Sequence, residues 1–167
     1  MTYVVNVVFV KWGNKYNDDQ LVTLFEQIYN ILGDWQEDFA SNLGNILPRG
    51  DKNLMRVAGI NPNTAISEYK FRYRFYCDGF DWDKYDLPAK HSSADIQYIQ
   101  IPKELNLKGV WNKLSMFRKE FPVEGKVLYF DLDTIIKDDF TKMIFAIDWS
   151  KLTMVDCHWK KIGRAHV

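Results

Sequence analysis

The run from Val4 to Val10, Val-Val-Asn-Val-Val-Phe-Val, constrains the fold more than any other stretch of this chain. Its side chains are apolar and mostly β-branched, a type that packs well on a pleated strand. A strand with one wet face alternates apolar and polar residues. This one does not, so it has to be covered on both faces, as strands of a parallel sheet are. The expectation is a central first strand. The run is too short to cross a bilayer, has no basic leader and is interrupted by Asn6, so a cytoplasmic protein without stable membrane insertion is expected.

Beyond this run the residue pattern alternates between helix and strand. Asn17-Asp-Asp-Gln20 supplies capping side chains, and Leu21, Leu24, Phe25, Ile28 and Leu32 recur at helical spacing up to Gly33. Residues 34–68 show scattered Gly, Pro, Asn and Asp without a sustained period and read as a variable insertion, although Trp35, Phe39, Leu43 and Leu47 would suit a short helix. Phe71, Tyr73 and Phe75 alternate with Arg72 and Arg74, which predicts a strand over 70–77 with both arginines on a solvated face. Ile96–Ile101 is another strand, stopped by Pro102. Val110–Glu120 reads as a helix with Val110, Leu114 and Phe117 inward. The fold class is therefore α/β, with a mainly parallel sheet flanked by helices.

The charge balance excludes some partners. Lys plus Arg and Asp plus Glu are both 22, so no global field draws the chain to nucleic acid or an anionic membrane. Cys77 and Cys157 have no metal-type spacing and read as reduced structural thiols. His158 reads as a structural histidine rather than a ligand.

The chemistry concentrates where the last apolar run ends. Lys126-Val-Leu-Tyr-Phe-Asp-Leu-Asp-Thr-Ile-Ile136 reads as a strand carrying Asp131 and Asp133 near its C-terminal end. Residues two apart on a strand face the same way, so the two carboxylates would lie close together and repel. A divalent cation with oxygen ligands, Mn²⁺ or Mg²⁺, would keep both ionised. In open α/β sheets, ligands collect at the carboxyl ends of strands, and this pair sits there.

In Lys11-Trp-Gly-Asn-Lys-Tyr16, Trp111-Asn-Lys-Leu114 and Leu128-Tyr-Phe-Asp-Leu-Asp-Thr134, the chain resembles small bacterial and phage-type GT-A glycosyltransferases that use nucleotide-sugar donors. The likeness in strand order covers residues 3–159. It implies a partial GT-A (Rossmann-like) nucleotide-diphospho-sugar transferase domain, metal-dependent, with a UDP-sugar as the expected donor and an unknown acceptor. By the same likeness Trp12, Gly13 and Tyr16 would hold the nucleoside, Lys113 would face the diphosphate, and Asp131 and Asp133 would hold ribose and metal. Asp78 falls where the family has a donor-contacting acid, but Gly79-Phe-Asp81 departs from the family's continuation.

Two other readings compete. Phe130–Ile136 also resembles the first motif of haloacid-dehalogenase-type phosphatases, with Asp131 as nucleophile and magnesium assisting. That motif closes the first strand of its domain, whereas three strands precede it here. The second is a non-catalytic α/β binding module. The final residues, Ile162-Gly-Arg-Ala-His-Val167, resemble a translated sequencing adapter. Residues 1–161 are accordingly expected to be the N-terminal part of one catalytic domain, inactive alone, whose remaining metal ligand and catalytic base lie downstream.

Overall fold

The computed structural model describes residues 3–41, 69–119, 123 and 125–151. Strand β1 (Tyr3–Lys11) is followed by helix α1 (Asp18–Ser41), β2 (Tyr69–Cys77), the short helices α2 (Trp82–Tyr85) and α3 (Leu87–Lys90), and β3 (Asp95–Gln100). Two 3-10 segments (Lys103–Leu105 and Gly109–Phe117), β4 (Lys126–Phe130) and helix α4 (Thr141–Ala146) complete the order. All strand pairs are parallel, and the sheet order is β3-β2-β1-β4. The expected α/β class with a parallel sheet and a central first strand is the observed one.

β1 is buried from Val5 to Lys11, and its two faces enter two separate cores. Val5, Val7 and Phe9 pack with α1 residues Leu21, Phe25 and Ile28 and with Phe75. Val8 and Val10 pack on the other side with Tyr76, Ile99 and Met116. A run without polar alternation thus has an apolar cover on each side, which is the reason it stands inside the sheet rather than at its edge.

The start of α1 is fixed locally. Asn17 Oδ1 accepts from the Gln20 amide at 2.8 Å and Gln20 Oε1 accepts from the Asn17 amide at 2.9 Å, a reciprocal cap. Its expected end near Gly33 is not observed, since the helix continues to Ser41. A glycine costs a helix interior about 1 kcal/mol without ending it unless it takes a left-handed cap conformation. The first part of the supposed 34–68 insertion is therefore helical. Residues 42–68 lie outside the described residues, as do Cys157, His158 and the adapter-like end.

Two further expectations change. Arg72 and Arg74 are not simply solvated: Arg72 Nε lies 3.2 Å from Asp95 and Arg74 Nη1 lies 2.8 Å from it. The parallel register opposes Arg72 to Asp95, so the charges meet across strands that the alternation pattern treats singly. Over 110–117 the backbone is 3-10 rather than α-helical. At three residues per turn the inward face becomes Asn112, Ser115 and Met116, while Trp111, Leu114 and Phe117 line up outside, Phe117 at 70% exposure. Val110, Leu114 and Phe117 are thus exposed, not inward. Asn112 Nδ2 donates to the Leu107 and Gly109 carbonyls, and Ser115 Oγ donates to the Asn112 carbonyl at 2.7 Å, which holds the polar side inward.

Candidate active site

The strand order places the site. From β1 the chain goes to β2 and then β3 on one side, whereas β4 returns to the other side of β1. The strand order therefore switches between β1 and β4, and open α/β sheets hold their ligands at the carboxyl ends of strands beside such a switch. Trp12, Gly13 and Tyr16 leave β1, and Asp131 and Asp133 leave β4.

The two carboxylates are not on the strand. β4 ends at Phe130, and the Thr134 amide donates to the Asp131 carbonyl at 2.9 Å to close a turn. Leu132 is buried in the α1-side core while Asp131 and Asp133 on either side of it are exposed. Inward anchoring of that leucine, worth about 2 kcal/mol, presents the acids outward in place of strand alternation.

Each acid has a tyrosine donor from a different strand end. Tyr16 Oη donates to Asp133 Oδ2 at 3.1 Å, which ties the loop after β1 to the turn after β4. Tyr129 Oη donates to Asp131 Oδ1 at 2.7 Å. Lys113 Nζ lies 2.8 Å from both Asp131 oxygens and 5.3 Å from the centre of the Tyr129 ring. Lys15 Nζ lies 4.7 Å from the centre of the Tyr16 ring. Two Lys–Tyr–Asp sets thus stand at the carboxyl ends of β1 and β4.

These contacts set the electrostatics. Partial burial pushes the Asp131 carboxyl up, but the hydrogen bonds from Lys113 and Tyr129 and the charges of Lys113 and Lys15 outweigh it and hold Asp131 below its ordinary range. Burial, then the hydrogen bond to Asp131, drives the Tyr129 hydroxyl far upward, so it stays a proton donor at physiological pH. Tyr16, and after it Asp133 and Asp131, raise Lys15.

The turn at Gly13 is built from β2. Gly13 has φ +59°, a conformation that favours glycine, and a Cβ there would meet nothing within 4 Å. Its demand is thus conformational, with open space in front of it. Its amide donates to Asp78 Oδ2 at 2.7 Å, and Gln100 Nε2 donates to the Asp78 carbonyl at 2.8 Å. Buried Lys11 reaches the Gly79 carbonyl and Asp18, both at 3.0 Å. Asp78 and Lys11 therefore shape the turn from behind.

No family model, curated protein or solved structure matches the chain.

Of the residues that the sequence singles out, Tyr16, Lys113, Asp131 and Asp133 come together. Trp12 is half-buried and packs against the core cluster of Val8 and Val10, as Tyr129 also does. Sequence pattern alone does not single out Tyr129 or Lys15. Tyr129 stands two residues before Asp131 inside the apolar run, where it reads as core. Lys15 is one of several charged residues in its loop, and only the fold brings it near Asp131 and Asp133.

Among the described residues no group of three or more His, Cys, Asp and Glu side chains could hold a metal ion. Two neighbouring carboxylates nevertheless suit a hard cation such as Mg²⁺ or Mn²⁺, which takes oxygen ligands and completes its shell with water and phosphate oxygens. Asp133 shares one oxygen with Tyr16, whereas both Asp131 oxygens are engaged by Lys113. Also among the described residues, no helix is long and apolar enough to cross a membrane.

Proposed function

We propose that this chain carries the donor-binding part of a cytoplasmic, metal-dependent glycosyltransferase acting on a nucleotide-diphosphate sugar, most simply a UDP-sugar. The observation that supports this reading best is the Tyr16–Asp133 hydrogen bond, which joins an acid turn to a glycine turn at the point where strand order reverses. Under this reading the Gly13 turn and Tyr16 seat the nucleoside, Asp131 orients the ribose, Lys113 faces the diphosphate, and Asp133 with Asp131 holds Mn²⁺ or Mg²⁺.

A bound cation would supply charge neutralisation to the departing nucleoside diphosphate. The chain's own residues do the rest. Tyr129 keeps its proton and shares it with Asp131 in a hydrogen bond, which holds that carboxylate's orientation. Tyr16 does the same for Asp133. Lys113 brings a positive charge to the carboxyl end of β4, where an anionic leaving group would collect.

The test is calorimetric titration of the 167-residue chain with UDP, with and without Mn²⁺, beside Asp133→Ala. Manganese-dependent UDP binding that disappears in the variant, while its thermal midpoint stays within a few degrees, is the expected outcome. Asp133 is exposed, so its truncation costs the fold little. Equal manganese-dependent affinity in parent and variant would remove the metal role of the pair and leave the binding-module reading.

A further inference from the structure

The Asp131 carboxylate already has a cation. Lys113 Nζ stands 2.8 Å from Oδ1 and 2.8 Å from Oδ2, a symmetric placement on the open side of the carboxylate. Tyr129 closes the Oδ1 side at 2.7 Å. The Lys113 side chain is 28% exposed and that of Asp131 49%, so the pair borders solvent and can open. An ammonium in this position and a divalent cation cannot share the same carboxylate oxygens, because their like charges would lie within a few ångströms of one another.

Resting on the transferase reading above, we propose that Lys113 is the resident counter-ion of Asp131 and competes with the divalent cation for it. With a cation held by Asp131 and Asp133, Lys113 would turn from the carboxylate to the donor's diphosphate. Lys113 thereby orders the binding events: it lowers the affinity of the empty site for metal and raises the affinity of the metal-loaded site for the nucleotide. No covalent step is involved, only an exchange of ion partners. The aromatic seat of the ammonium beside Tyr129 gives the freed lysine a place from which to reach an anion without crossing open solvent. Lys15 sits over Tyr16 and, among the described residues, makes no direct ion pair of this kind to either acid, so its removal serves as a comparison.

The experiment is a pair of titrations on the full chain, Mn²⁺ alone and UDP at saturating Mn²⁺, for the parent, Lys113→Met, Lys113→Arg and Lys15→Met. In Lys113→Met, Mn²⁺ alone is expected to bind about fivefold or more tightly, since the competing partner is gone. The same variant is expected to lose about tenfold or more in UDP affinity, the effect of a missing charge-assisted contact. Lys113→Arg retains a cation and is expected to reverse both changes in large part, and Lys15→Met to move Mn²⁺ affinity less than Lys113→Met does. A merely structural lysine would weaken both ligands together.

A measurement on the parent guards against a misfolded variant: acylation of the Lys113 amine by a lysine reagent, followed by mass spectrometry, should speed up when Mn²⁺ is added. Mn²⁺ binding that is unchanged or weaker in a folded Lys113→Met, or Lys113 labelling that ignores Mn²⁺ in a parent that binds it, overturns the competition and leaves the transferase reading in place. Absence of both Mn²⁺ and UDP binding in the parent overturns the reading of this chain as the donor-binding part of a transferase, and the competition falls with it.

Discussion

On one side of β1 lies β2, paired over nine residues from Tyr3–Tyr69 to Lys11–Cys77. Phe9 stacks on Phe75 at 5.1 Å, and Phe25 of α1 meets Phe75 and Tyr73 edge-on at 5.2 Å each. On the other side lies β4, paired over five residues and only half-buried throughout. It leads into an acid turn and is neighboured by a 3-10 segment with its apolar stripe outside. The first side is held by interlocking aromatic and aliphatic packing, which is stiff and insensitive to ions. On the second, β4 packs against both cores from the sheet edge, but its acid turn is tied by a few hydrogen bonds and ion pairs near solvent, each individually weak and exchangeable. Catalytic and binding chemistry needs exchangeable partners at a fixed address, and this chain sets the weak side against the strong one.

The largest loss on truncation is expected in the packed half. Phe25 is fully buried, and Phe25→Ala should cost about 3–5 kcal/mol in urea unfolding, since the cavity lies between α1 and three strand aromatics. A loss below about 1 kcal/mol would mean that this side is no better packed than the other.

A smaller effect is expected at the outer edge of the same half. Burial raises the Asp95 carboxyl, but Arg74, then Arg72 and Lys70, hold it below its ordinary range. A carboxyl whose folded pKa is depressed adds stability above its unfolded value, about 4, and that stability is lost as pH falls through the lower folded value. The Asp95→Asn variant should therefore lose up to about 1 kcal/mol at neutral pH, after discount for partial exposure, and should show a flatter acid limb below about pH 4. An unaltered acid limb would show that the two arginines gain nothing from Asp95.

The smallest effect belongs to the site half. Phe117→Ser removes a large apolar side chain from the 3-10 stripe, yet it should change unfolding stability by no more than about 0.5 kcal/mol, because the ring is largely exposed. A loss comparable to that of Phe25→Ala would place the ring inside and restore an α-helical face for Val110, Leu114 and Phe117.

How much of the fold is legible in the sequence depends on how far each signal reaches. The Asn17–Gln20 cap and the period of Leu21, Leu24, Phe25, Ile28 and Leu32 belong to one helix, and local pattern is enough to find them. The Val4–Val10 run carries its tertiary meaning openly, because apolar residues on both faces leave no other place for it. The end of α1 is not legible at Gly33, because a glycine alone does not stop a helix. The face of residues 110–117 is not legible either, because its apolar residues fit two periods, Val110, Leu114 and Phe117 at 3.6 residues per turn and Trp111, Leu114 and Phe117 at three, and Asn112 and Ser115 choose between them through backbone carbonyls.

The site divides in the same way. Covalent order alone puts two carboxylates at the end of an apolar run and a glycine turn after the first strand, since both are statements about neighbours along the chain, although the residue pattern includes the acids in the strand, which ends at Phe130. Which groups meet them follows from the fold. Tyr16 reaches Asp133 across 117 residues, Lys113 reaches Asp131, and Asp78 fixes Gly13 from the end of another strand. The physical reason is that a charge is satisfied by whatever lies within a few ångströms. Chain neighbours follow from covalent order, whereas these neighbours follow from the order of strands in the sheet.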